Sequence, residues 1–160
     1  MFTPNSVKMA IAPIAWTNDD LPELGGHISF EQCIKEMAAA GFTGTEIGNK
    51  YPKDPEVLKP ALEKKGLQIS SAWFSTFFSE NGRSEETVDN YVEHILFLKA
   101  MGARVVNVCE CGHCVQMGPR HVFDRPEYSD KQWEQVAEGL NMIGEIARDN
   151  KMINAYHYHM

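Results

Sequence analysis

Two histidines at alternate positions, His157 and His159, stand in an apolar run close to the last residue of the chain. Positions two apart on a strand share a face, so both imidazoles are candidate ligands for one metal ion; the competing reading is a pair of surface residues at a fraying end. Glu110 and His113 follow another apolar run and form a candidate acid and base pair, set against a loop that merely caps its strand. Glu46 closes a third run and precedes Asn49 and Lys50; it is either a base, an orienting group or a solvated carboxylate. Lys50 has the charge to polarise a carbonyl, although most lysines in such places are simply exposed. Asn18, Asp19 and Asp20 are suited either to hydrogen-bonding a ligand or to capping a turn. Trp16, Trp73 and Phe74 have the flat apolar faces that wall pockets, and Phe74 would serve equally well in a core. Cys109, Cys111 and Cys114 include one C-x-x-C pair, but a structural zinc site needs four ligands and no second pair exists. Reduced thiols are therefore expected.

The elements that must position these residues can be read from periodicity. Five short apolar runs, at residues 8–14, 42–47, 67–73, 104–109 and 152–159, have the length of strands. Between them lie four helical patterns. The first has Ser29 and Gln32 in capping-box spacing and Phe30, Cys33, Ile34, Met37 and Ala38 on one face, and it stops at Gly41. The second starts at Asp54 and Pro55, presents Val57, Leu58, Ala61 and Leu62 inward, and should kink at Pro60. The third covers residues 84–101 with Val88, Tyr91, Val92, Ile95 and Leu98 inward; the fourth follows Ser129 and Gln132 and repeats Trp133, Val136, Ala137, Leu140 and Ile143. Strand and helix alternate four times and a fifth strand follows, which argues for right-handed βαβ crossovers and a parallel sheet. No G-x-G-x-x-G or P-loop follows the first strand, which favours a (βα)8 barrel over a nucleotide-binding doubly wound sheet. In a barrel the residues after each strand lie on the face where active sites form. A complete barrel takes about 250 residues, so residues 1–160 are expected to be the N-terminal portion of one barrel domain: four βα units and a fifth strand.

Fifteen Lys and Arg against 22 Asp and Glu give a formal charge of −7, the wrong sign for a chain that neutralises phosphates. Nucleic acid and anionic membranes are poor partners; a neutral or metal-bound small molecule fits better. Neither a membrane-spanning run nor a secretory signal pattern is present, so a cytoplasmic location is expected. The exposed edges of a partial barrel make a homo-oligomer a reasonable expectation.

Residues 11–26, containing Trp16, Asn18, Asp19 and Asp20, residues 41–54, with Glu46, Asn49 and Lys50, and residues 72–77 resemble the bacterial inosose dehydratases of inositol catabolism. The similarity continues through residues 97–103 and 110–113 and reaches residues 156–160. The resemblance implies a xylose-isomerase-like TIM barrel in which a divalent metal at the strand ends assists proton abstraction beside a ketone. The implied reaction removes water from 2-keto-myo-inositol (scyllo-inosose) to give a trihydroxycyclohexane-1,2-dione, with cobalt or manganese and with glutathione as cofactors. It makes Glu46, Glu110 and His113 candidate catalytic residues. Trp16, Asn18, Asp19, Asn49, Lys50 and Trp73 become contacts for a cyclic polyol ketone. His157, where related barrels carry a metal-binding carboxylate, becomes the first choice of ligand, with His159 beside it. Related barrels take further Asp, His and Glu ligands from later strands, so these 160 residues alone are expected to turn over weakly or not at all. Two other functions share the pattern: a keto-sugar isomerase or epimerase on the same barrel, and a non-catalytic half-barrel that dimerises or binds metal.

Overall fold

The structure, a computed structural model, describes residues 7–115 and 120–158. Its elements are β1 (Ala10–Ile11), α1 (Phe30–Ala39), β2 (Gly44–Glu46), α2 (Pro55–Glu63), β3 (Gln68–Ser71), β4 (Trp73–Thr76), α3 (Ser84–Met101), β5 (Val105–Glu110), α4 (Asp130–Asp149) and β6 (Ile153–Tyr156). All strand pairings are parallel. The strands are shorter than the apolar runs that announced them, and the third run is divided: Ala72 separates β3, which pairs with β2, from β4, which pairs with β5. The result is two three-stranded sheets, β1-β2-β3 and β4-β5-β6. The chain correspondingly forms two compact units. One reaches to Ala72 and takes in Ala100–Ala103; the other comprises Trp73–Lys99 and the chain from Arg104 onward.

In the first unit, α1 begins where the Ser29 hydroxyl accepts the Gln32 amide at 3.2 Å, which satisfies an orphan donor of the first turn. Its buried stripe is Phe30, Cys33, Ile34 and Met37. In α2 the Asp54 carboxylate accepts the Glu56 amide, and Leu58 and Leu62 are sealed from solvent. Pro60 does not end this helix, which runs on to Glu63. Burying two leucines is worth about 3–6 kcal/mol, enough to outweigh the hydrogen bond that a proline removes. Val57, expected in the stripe, is 54% exposed.

In the second unit, Tyr91, Ile95 and Leu98 of α3 and Val106 and Val108 of β5 are buried, and the Tyr91 hydroxyl bonds to the Asn154 side chain of β6. α4 opens with a full capping box at Ser129 and Gln132. Its buried face is Val136, Gly139, Ile143 and Ala147, whereas Trp133 and Ala137 are exposed. The stripe is therefore rotated from the one periodicity suggests. Gly139 is the cause: a Cβ there would lie 2.2 Å from the Phe78 ring, so only glycine lets that ring seat against the helix. Among the described residues no helix is long and apolar enough to cross a membrane.

Candidate active site

Glu110 is the last residue of β5, and among the described residues its carboxylate gathers five hydrogen bonds. Oε2 accepts from the Thr76 hydroxyl at 2.8 Å and the Phe78 amide at 3.0 Å. Oε1 accepts from the Ser79 hydroxyl at 2.9 Å, the Ser79 amide at 3.3 Å and the Gly112 amide at 3.0 Å. A carboxylate offers about four lone-pair sites, so this one is saturated. The loops after β4 and β5 are gathered onto it, and Tyr128 closes the arrangement by donating to the Gly112 carbonyl at 2.6 Å. Gly112 has no room for a side chain, because a Cβ would lie 2.1 Å from the Ser79 hydroxyl.

A cleft of about 410 Å³ opens beside this knot, within the size range of small-molecule sites. Glu110, His113, Arg125, Tyr128, Trp133 and Tyr156 are among its walls. His113 is exposed and takes a left-handed backbone conformation (φ 58°), and its ring meets Tyr128 edge-on at 6.3 Å. Burial raises the Tyr128 and Tyr156 phenols above their ordinary range, which keeps both neutral, and of the two the Tyr128 proton is already given to the Gly112 carbonyl. The cleft thus offers an imidazole for proton transfer, the Tyr156 phenol as a donor for a carbonyl or hydroxyl oxygen, and the Trp133 face for an apolar ring surface.

Trp73 and His157 lie elsewhere. Their rings pack edge to face at 5.0 Å, and the Trp73 indole donates to the Ser75 hydroxyl at 2.9 Å. These residues share one face of the β4-β5-β6 sheet. Phe74 packs on Tyr91 and His94 of α3, so Phe74 and Thr76, and with Thr76 its partner Glu110, occupy the other face. β6 ends opposite Val108, two residues before the end of β5, and Glu110 and His157 project from opposite faces. His159 lies outside the described residues. Among the described residues no three His, Cys, Asp or Glu side chains come together in a way that could hold a metal ion.

Glu46 belongs to the other unit, at the end of β2, where the register slips between Thr45 and Glu46. The bulge sets Ser71 opposite Glu46, and the Ser71 hydroxyl donates to Oε1 at 2.8 Å. Thr45 is buried and bonds to the Tyr51 hydroxyl at 2.9 Å. In the same unit the remaining candidates hold the first loop. Asn18 accepts the amides of Asp20 and Leu21 at 2.9 and 2.8 Å, the arrangement of an Asx turn. Asp19 accepts the Asn49 amide at 3.4 Å, and the Trp16 indole donates to Glu36 at 2.7 Å. Lys50 donates to the carbonyls of Gly26 and Ile28 at 2.8 and 2.7 Å and to that of Gly25 at 3.4 Å. Its ammonium has three protons, and each has a backbone oxygen.

Tyr128, Trp133, Tyr156 and Arg125 were not among the candidates read from sequence. Trp133 carries the only usable signal, a large aromatic in the first turn of a helix, which its periodicity assigns to the core. No disulfide joins any of the four cysteines in the structure.

With this geometry in place, comparison with known proteins identifies the class. Residues 34–159 match the xylose isomerase-like TIM barrel family, to which the chain belongs. The parallel βα alternation is that of a partial barrel of this type. Within the family, the chain is 50% identical over 157 residues to the inosose dehydratase of Serratia proteamaculans (strain 568), covering 98% of this chain and 52% of that protein. It is 49% identical over 162 residues to the inosose dehydratase of Bacillus anthracis, covering 100% of this chain and 54% of that protein. The chain spans about half the length of the curated relatives it matches. A xylose isomerase-like TIM barrel protein from Mycobacterium smegmatis, solved in complex with magnesium, superposes with a TM-score of 0.69 at 16% identity, over 100% of this chain and 57% of that one; this likeness shows the fold alone.

Proposed function

We propose that this chain forms part of a hydro-lyase that dehydrates scyllo-inosose to a trihydroxycyclohexane-1,2-dione. One observation carries the reading: about half of the residues are identical to inosose dehydratases over nearly the whole chain. Loss of water beside a ketone requires a base for the α-proton, donors for the enolate oxygen and an acid for the departing hydroxide. In this proposal His113 transfers the proton, and the neutral phenol of Tyr156 holds the ketone oxygen. The saturated Glu110 positions Gly112 and its neighbour His113 instead of taking a proton itself. Glu46 of the other unit is the alternative candidate base, with Asn18, Asp19 and Asn49 of that same unit as polyol contacts.

A divalent ion, cobalt or manganese, would supply an electrophile for the enolate oxygen; His157 is the described residue proposed to hold it, on the sheet face opposite Glu110, which makes that face an alternative location for the reaction to the cleft beside His113. The described residues do not by themselves make a metal centre, and no proton step above passes through one. Glutathione rests on the resemblance alone. A cytoplasmic location and a homo-oligomeric assembly complete the proposal and are open to fractionation and sizing chromatography.

Incubation with scyllo-inosose and divalent metal is the test. Loss of substrate with a new diketone absorbance supports the reading; interconversion of keto sugars without loss of water would replace it with an isomerase. In the active enzyme, Glu46→Gln and His157→Ala should each lower turnover by at least about tenfold, and an unchanged rate removes that residue from the site.

A further inference from the structure

Residues 111–114 read Cys-Gly-His-Cys, and neither thiol has a part in the chemistry above. The Cys114 amide donates to the Cys111 carbonyl at 3.1 Å, so the four residues close a turn with Gly112 and His113 at its corner. Such a turn keeps its end Cα atoms within about 7 Å, the span that a disulfide bridges. The two thiols differ in access: Cys111 is half-buried, whereas Cys114 is exposed and borders the cleft. Burial raises the Cys111 thiol and pushes that of Cys109 up to about 12, so what separates the two is access: Cys109 is fully buried and closed to a small disulfide.

We propose that Cys111 and Cys114 are a reversible dithiol–disulfide pair at the rim of the cleft, oxidised by exchange with a small-molecule disulfide. The Cys114 thiolate attacks one sulfur of that disulfide, forming a mixed disulfide and expelling one thiolate. The Cys111 thiolate then attacks the Cys114 sulfur, the Cys111–Cys114 bond forms and the second small thiolate leaves. The two protons released by the cysteines go to the departing thiolates; the protein loses two electrons and the small disulfide gains them. The bridge encloses Gly112, whose amide donates to Glu110 and whose carbonyl accepts from Tyr128. Oxidation therefore clamps the peptide that joins the carboxylate knot to the cleft.

The experiment treats the 160-residue chain with hydroxyethyl disulfide and follows free thiols, intact mass and disulfide-linked peptides. The expected product has lost two of its four thiols, carries no adduct and yields a Cys111–Cys114 linked peptide, and dithiothreitol restores the starting mass. Cys111→Ser should stop at a mixed disulfide on Cys114. Four persisting thiols, stable adducts on the unaltered chain, or a bridge that includes Cys109 or joins two chains would each overturn the proposal. The measurement on the unaltered chain decides even where the variant does not fold.

Discussion

Glu110 shows how a residue's chemistry is set by its bonds. Its five donors leave no lone pair for a proton in transit, which makes it the post around which two loops are tied. Replacement of Glu110 by Gln puts an N–H₂ group against amides and hydroxyls that all donate. The expected loss is about 2–3 kcal/mol of unfolding free energy, read as a lower urea midpoint; an unchanged midpoint would remove the knot from the account. Lys50 plays the same part in the other unit. Lys50→Met leaves the carbonyls of Gly25, Gly26 and Ile28 without their donor, and amide exchange over residues 17–28 should accelerate by at least about tenfold, the equivalent of one hydrogen bond to a charged group. Neither role is visible in the sequence, because a Glu or Lys after a strand looks alike whether it meets water, substrate or backbone.

At the scale of elements, α3 and α4 carry two features with measurable consequences. His94 of α3 packs against Phe74, and its Nε2 has no partner; burial lowers its pKa to about 4 from 6.5. The neutral imidazole is the folded form, so the unfolded chain binds the additional proton as the pH falls below 6.5. Stability should therefore drop as the pH falls from 6.5 towards 4, by up to about 3 kcal/mol. His94→Leu should flatten that part of the profile in urea titrations at several pH values, and an equally steep profile in the variant would assign the loss to other groups. In α4, an alanine normally stabilises a helix relative to glycine by about 0.5–1 kcal/mol. Gly139→Ala should do the reverse, because its Cβ would meet the Phe78 ring, with an expected loss of about 1–3 kcal/mol in denaturant. A stabilised variant would show that Phe78 gives way freely. The caps and helix limits could be read in advance because they are local: Ser29, Asp54 and Ser129 bond to amides two or three residues on. The inward face of α4 could not, since it depends on a ring from a loop some sixty residues earlier.

Over the whole molecule, the charge of −7 opposes binding to a phosphate backbone. The chain should pass through a DNA column without retention at about 0.1 M salt; retention that falls steeply with salt would require a basic surface that the composition does not suggest. The order of strands and helices, the parallel class of sheet and the family resemblance were all legible in the 160 residues, because apolar period, capping residues and glycine stops act over a few positions. Tertiary structure alone decided that the third apolar run divides at Ala72 between two sheets, that Glu110 and His157 take opposite faces, and that Tyr128, Trp133 and Tyr156 wall a cleft with His113. The reason is that register and the side on which a strand end projects depend on partners distant in the chain. A shift of one residue moves a side chain to the other face, and local sequence holds no record of that choice.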